Sequence, residues 1–464
     1  MGGLFSALNS AAGALNVYSQ ALGVDQQNVA NASTAGYAAQ TATITPFGVS
    51  GSYGTNGDVV NVTSSSNAFA DAAVQAASSQ ASQSQTTAQQ LSPVNQLFDI
   101  TGTSGILAAF QQFSTAFSTL SVTPNDPTAG AAALSAAGTV ASAFNSVAAS
   151  LTSQQTQLNS AVQTTTAQIN SLASQIRQLN VQATASSQPD PGVDASLRNS
   201  LDQLSSLVDI TVTKNSDGSV SVLAGGQLPL VLGDQSFQLS VDPSAAAGSQ
   251  VSSSAGGNSP ASFSGQLGGL LQSSAAINGI YGAGNSGTLN TLAGGFATLV
   301  NNLLTSGVNA AGVAGVPVFT FDASNAAGSA GTLAIDPTVT ASQLGLATTG
   351  PSAQSNGIAN QLAALAGSTS AASQIGGQSA EGLFAAIAAS VGQQVSDATS
   401  ASTTDQTALT TAQTNRQQQI GVSLDQEAVN ITTDQRAYAA SAQVVTILNQ
   451  LTQDEINLIS PTSG

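Results

Sequence analysis

The 464-residue chain carries 22 acidic residues against 5 basic ones and no histidine, a formal charge of −17 that excludes attraction to nucleic acid or to an anionic membrane as its main activity. Charged residues make up 6% of the chain, against about 25% in ordinary soluble domains, so Ala, Ser, Thr, Gln, Asn and Gly dominate and large core side chains are sparse. The absence of cysteine excludes disulfide frameworks, thiol catalysis and thiolate zinc sites.

Taken in chain order, the first predicted element is a helix whose seam, Leu4, Leu8, Ala11, Leu15, Tyr18, Leu22, Asp25 and Val29, alternates steps of four and three. It runs into Asn28-Val29-Ala30-Asn31 and the turn Ser33-Thr34-Ala35-Gly36-Tyr37. The opening Met1-Gly2-Gly3-Leu4-Phe5 has neither the basic start nor the apolar stretch of a secretory leader, so export without a cleaved signal is expected. Loop with short strands is expected over Thr41 to Thr63, including Pro46-Phe47-Gly48 and Gly51 to Asp58. A polar helix follows over Ala68 to Leu97, then a more apolar one over Ile106 to Leu120. The longest periodic stretch, Val140 to Leu179, contains one stutter at Gln154, Leu158 and Val162, which unwinds a coiled coil locally. Pro189 and Pro191 end this arm, and Asp194 is placed to cap a return helix through Leu197, Leu201, Leu204 and Leu207.

The period then changes. Asp209 to Lys214 and Ser219 to Leu223 alternate around Asn215-Ser216-Asp217-Gly218, a hairpin signal because the turn needs positive φ. With Leu228 to Leu232 and Phe237 to Val241 this predicts a small antiparallel unit over 209–265. Helix resumes at Leu289 to Leu304, a short β insertion is expected at Val316 to Gly350, and helix returns over Gly357 to Leu365 and Glu381 to Ile420. The last helix repeats the terminal seam at Leu424, Ala428, Ile431, Gln435, Tyr438, Ala442 and Val445, and Leu448 to Ile459 continue the stripe. The fold class is therefore mainly α with β-rich subdomains in an elongated multidomain chain. Residues 1–45 and 420–464 form a terminal coiled coil. Residues 46–315 and 351–419 form a helical bundle, and 316–350 a reduced outer insertion.

Few groups are available for catalysis. The glycine pairs Gly225-Gly226 and Gly268-Gly269 lack the lysine and strand-to-helix setting of a phosphate loop, and Asp454-Glu455 reads as a solvated helix face. Asn31-Ala32-Ser33, Asn61-Val62-Thr63 and Asn430-Ile431-Thr432 fit glycosylation acceptors only as chance occurrences in a Ser/Thr-rich chain. No acid/base constellation, cofactor site or metal site emerges, and an enzyme is not expected.

The run Asn28 to Tyr37, preceded by the seam from Leu4, resembles the N-terminal motif of the bacterial flagellar rod, hook and hook-associated axial proteins. Leu424 to Asn430 with Gln435 to Val444 resembles their C-terminal motif. Three internal segments, Leu197 to Gly233, Gly265 to Leu271 and the helix through Phe296, Val300, Asn301 and Leu304, are similar to the hook-associated protein 1 branch at the hook–filament junction. The chain departs from the family in having Ala35 where proline is usual and no arginine around Ser66-Asn67.

The resemblance implies a secreted, non-enzymatic subunit of the extracellular flagellum that needs no cofactor. Its implied partners are copies of itself in a ring or tubular layer, the hook protein, the second junction protein and an export chaperone at the C-terminal helix. The terminal seams, with Asn28, Asn31, Gly36 and Tyr37, and with Arg436 and Leu448 at the other end, are the expected assembly interface. Antiparallel pairing that sets Leu4 beside Ile459 predicts that Asp25 meets the turn of Tyr438 and Arg436 as a register lock. Ordering both ends costs backbone entropy that so few large side chains do not offset, so the ends are expected to fold among neighbouring subunits. Two other readings remain open, a hook, rod or second junction protein, and a secreted adhesin or surface-layer protein.

Overall fold

The computed structural model describes residues 2–34, 36–46, 58–185, 190–242, 250–256, 262–350 and 353–459. Ala35, most of the loop expected at 47–57, and Pro189 lie outside the described residues, as do parts of the expected β unit at 243–249 and 257–261. Helix α1 (Gly2–Asn31) leads into the antiparallel pair β1 (Gln40–Pro46) and β2 (Asp58–Ser64), in register from Gln40↔Ser64 to Pro46↔Asp58. Helix α2 (Ala68–Asn95) starts where the Asn67 side chain accepts from the amides of Phe69 and Ala70. At the place where the axial family generally has arginine, this chain therefore has a helix cap.

Helices α3 (Gly105–Val122), α4 (Pro127–Ala185) and α5 (Pro191–Leu207) follow. The 59-residue α4 is long and apolar enough to cross a membrane by length and composition, but its apolar face packs against α3 and α5. It begins well before the expected Val140 because the alanine-rich stretch from Ala129 to Ala141 buries a stripe of small residues. Asp190 caps α5, with Gly192 N donating to its Oδ1 at 2.8 Å, and Pro191 opens the helix with φ already set. Asp194, the expected cap, instead occupies the first turn, where a carboxylate complements the positive end of the helix.

Strands β3 (Ile210–Lys214), β4 (Val220–Ala224), β5 (Leu228–Leu232) and β6 (Gln235–Ser236) form one antiparallel sheet, and β7 (Leu239–Val241) pairs with β8 (Val251–Ser253). The β3–β4 hairpin turns through Gly218 at φ +91°, with Asn215 N donating to Ser219 O at 2.8 Å. Helix α6 (Gly265–Ile280) occupies a stretch that the sequence reading leaves without a helix. Its glycines hide it from propensity, yet they are what seats it: a Cβ on Gly269 would lie 2.7 Å from Gln83 O of α2.

The chain continues through α7 (Thr288–Ser306), β9 (Phe319–Thr320), α8 (Gly328–Thr332), β10 (Ala334–Ile335), α9 (Gly357–Ala364), α10 (Ala380–Ile420) and α11 (Leu424–Ile459). The segment 316–350 is not an outer domain. Val318, Phe319, Ala330, Leu333 and Leu344 are buried in the same core as α3, α4 and α7, because its two-residue ladder is too small to bury a face of its own. Phe296 of α7 sits at the centre of that core, with ring centroids 4.7 Å from Phe110, 5.3 Å from Phe113 and 6.1 Å from Phe319.

Asparagines fasten strands to helices by a repeated device. Asn170 of α4 accepts from Leu239 N at 2.8 Å and donates to Leu239 O at 3.0 Å, and Asn180 does the same to Val220 at 2.9 and 2.8 Å. Asn301 of α7 accepts from Phe319 N at 2.9 Å and donates to Phe319 O at 2.8 Å. A carboxamide matches both polar groups of one strand residue, so it satisfies an edge where no neighbouring strand exists.

Replacing Phe296 with alanine is expected to destabilise the body by about 3–5 kcal/mol, since the ring contacts three others and its loss opens a cavity. Denaturant unfolding followed by far-UV circular dichroism checks this.

Candidate assembly interface at the paired termini

Helices α1 and α11 run antiparallel along each other, since Asn28 reaches Glu427 while Asp25, one turn back on α1, also faces Asp434, further along α11. The face that α1 buries consists of Ala11, Val17, Ala21, Val24, Asp25 and Asn28. Leu4, Leu8, Leu15, Tyr18 and Leu22 are half-buried beside it, and Val29 is 41% exposed. On α11, Glu427 is buried and Ile431, Asp434, Val445 and Leu448 are half-buried, whereas Leu424, Arg436 and Tyr438 point outward. Val29, Leu424, Arg436 and Tyr438 therefore do not belong to the seam within one chain. An α-helix has 3.6 residues per turn and drifts by roughly 20° per heptad, so a stripe drawn from large residues ends up on the wrong face. The inner stripe is carried by alanine, valine and polar residues.

Asn28, fully buried, is the centre of the pair. Its Oδ1 accepts from Gln40 N and from Tyr37 Oη at 2.9 Å each. Its Nδ2 donates to Gln40 O at 2.8 Å and to Glu427 Oε1 at 3.1 Å. This is the same carboxamide-to-strand clasp seen in the body, with a fourth bond that spans the two ends of the chain. Asn31 closes the turn after α1, donating to Gln27 O at 2.9 Å and accepting from Thr34 Oγ1 at 3.2 Å.

Asp25 does not meet the Arg436 turn. It is buried against Glu427 and Asp434, and its pKa is pushed up to about 6 by burial, with the nearby charges of Asp434 and Glu427 adding to the effect. Burial also raises Asp434, and raises Tyr37 with a further contribution from Glu427. The expected register puts Asp25 too far along α11, because pairing is fixed by Asn28 and Gln40 at the chain's turn and not by matching the outermost residues.

A second cluster joins the terminal pair to the body. Gly36, at φ +77°, lies so close to α5 that a Cβ would meet Ala195 O at 2.6 Å, and Arg198 Nη1 donates to Gly36 O at 2.6 Å. Arg198 also contacts Asp71 at 3.5 Å, and Arg416 bridges Asp71 at 3.5 Å and Asp202 at 2.8 Å. Burial lifts the Asp202 carboxyl above its ordinary range, while the hydrogen bond and charge of Arg416 oppose the shift. Two of the five basic residues are thus committed to one joint among α2, α5 and α10. In the sequence they are isolated charges, and no spacing rule links them.

Outside the pair, the terminal helices expose large apolar side chains. Phe5, Val429, Val444, Ile447, Leu451 and Ile456 are each about half exposed, and Val444, Ile447 and Leu451 recur at steps of three and four on one outer face. Among the described residues no group of three or more His, Cys, Asp or Glu side chains is arranged to hold a metal ion.

Comparison with known proteins points the same way as the terminal motifs. The model for the helical domain of flagellar hook-associated protein FlgK matches residues 91–319, and flagellar hook-associated protein 1 of Bacillus subtilis strain 168 is 28% identical over 98% of both chains. From end to end the chain is similar to flagellar hook-associated protein 1. Hook-associated protein 1 of Escherichia coli K12 is 27% identical over 52% of this chain and 46% of its own length. Among solved structures, the flagellar hook junction protein FlgK from Burkholderia pseudomallei shares the fold, with a TM-score of 0.62, 18% identity, and coverage of 74% of this chain and 99% of its own. In this chain, the terminal motifs recognised in the sequence meet at Asn28 and Glu427.

Replacing Asn28 with alanine is expected to weaken the terminal pair by about 1.5–3 kcal/mol, because it leaves the Gln40 amide and a buried carboxylate short of a partner. Hydrogen exchange of α1 and α11 amides, read against those of α4, measures the loss.

Proposed function

We propose that this chain is a structural subunit at the junction between the flagellar hook and filament, required for filament assembly and hence for motility. The observation that carries the reading is the end-to-end similarity to hook-associated protein 1, together with paired termini that leave an apolar stripe uncovered. In this reading residues 1–45 and 420–464 form the assembly unit, and the body from Ala68 to Ile420 spaces it from the outer surface. Val444, Ile447 and Leu451 pack on neighbouring copies in a ring or tubular layer, where a heterologous contact repeats from subunit to subunit. The hook protein lies on one side of that layer and the second junction protein on the other. An export chaperone covers the C-terminal helix before secretion, and the mature subunit stands outside the cell.

The composition of the α1–α11 seam supports a conditional role for the ends. Alanine, valine and carboxylates bury little apolar area per residue, so the pair is marginal alone and gains order when neighbours cover its outer face. Assembly, not catalysis, is the activity of the molecule.

Deletion of residues 1–35 tests the reading by electron microscopy of the flagella. Cells are expected to retain hooks, lack filaments and fail to swim. Intact filaments and swimming would refute the junction role and would favour a surface protein whose termini are dispensable.

A further inference from the structure

The contact between Asp25 and Glu427 has no counter-ion. Asp25 of α1 and Glu427 of α11 are 6% and 5% exposed, their carboxyl groups lie against each other, and Asp25 Oδ2 and Glu427 Oε2 each lack a hydrogen-bond partner. They border a cleft of about 520 Å³ whose other walls include Gln40, Ser423, Asn430 and Asp434. The titratable groups facing the pair are Asp434 from α11 and Tyr37 from the turn after α1, and β1 contributes Gln40, which is uncharged. No lysine or arginine lines the cleft. Two carboxylates held together away from water repel each other strongly, and a single proton between them turns that repulsion into an O–H···O bond.

We propose that the terminal pair is a proton-linked latch, in which Asp25 and Glu427 share one proton across the α1–α11 interface and loss of that proton loosens the two helices. The inference goes beyond the junction role, since it concerns the free subunit and holds whatever the ends assemble with. The geometry explains why the pair is buried at the Asn28 clasp. Asn28 Nδ2 fixes Glu427 through Oε1 and sets the register, which leaves Oε2 to face Asp25. Releasing the proton frees the inner face, Val17 and Val24 with Val445 and Leu448, for exchange with other copies of the chain.

The sign follows from the direction of the shift. Asp25 moves from 3.8 to about 6 in the folded chain, so the folded form holds its proton more tightly than the unfolded form. The stabilisation is complete below about pH 4, declines as pH rises through about 6, and is gone above about 7. A shift of this size allows at most roughly a hundredfold change in the pairing equilibrium.

Millisecond pulse-labelling hydrogen exchange on the full chain tests the latch, with rates corrected for the intrinsic effect of pH. Protection of α1 and α11 amides is expected to fall by up to about tenfold from pH 5 to pH 8, while α4 amides stay unchanged. Asp25→Asn supplies the bridging hydrogen without a titrating proton, so it is expected to keep acid-level protection at pH 8 and to flatten the profile. Glu427→Gln is expected to do the same, and each variant decides by itself if the other loses its terminal pair. A flat wild-type profile overturns the proposal, as do variants that keep the wild-type pH dependence. Restoration of wild-type protection at pH 8 by millimolar calcium, reversed by a chelator, would also overturn it by assigning the cleft to a metal ion instead of a proton.

Discussion

Asn28 ties the end of α1 to the strand that leaves it and to a helix that returns 399 residues later. One carboxamide uses both its donor and its acceptor to do so, and every partner is buried or half-buried, so leaving any of them unpaired carries a desolvation cost. The surrounding arrangement depends on that contact. It fixes the register of α11 against α1, brings Asp25 onto Glu427, and holds Tyr37 and Gly36 in place for the joint with α5. The chain has few charges with which to achieve this, and the same carboxamide clasp recurs at Asn170, Asn180 and Asn301, each joining a helix to a strand.

Arg198, Arg416, Asp71 and Asp202 form a network in a joint that is partly shielded from water, where ion pairs resist screening better than on an open surface. The carboxylates at the terminal pair have no such partners. A firm joint next to a poorly compensated pair gives the two parts different roles. The joint orients the ends relative to the body, and the proposed latch lies in the ends themselves.

Periodicity made most of the helices legible, since α3, α4 and α7 each carry a stripe of buried apolar residues at helical spacing, and α10 does so over its first half. Helix α6 escaped because glycine is read as loop, whereas Gly268 and Gly269 are there to admit the backbone of neighbouring segments. The seam of α1 was legible as a helix but not to the residue, because Ala21 and Val24 carry the inner face while the larger Leu22 lies at its edge. The partner of Asp25 was not legible at all. Register between two helices so far apart in sequence is set by Asn28 and Gln40, and a rule that pairs opposite charges has no means of anticipating a contact between like ones. The scattered arginines show the same limit, since their convergence on Asp71 exists only in three dimensions.

In the proposed assembly, neighbouring subunits cover the outer stripe of α11. The chain has no cysteine, so a single Ile447→Cys substitution gives a clean reporter for thiol labelling. With Val122→Cys on the exposed surface of the body as control, the thiol at 447 is predicted to label readily in the free subunit and to be blocked in isolated hook–filament structures. Equal labelling at 447 in both states would contradict the claim.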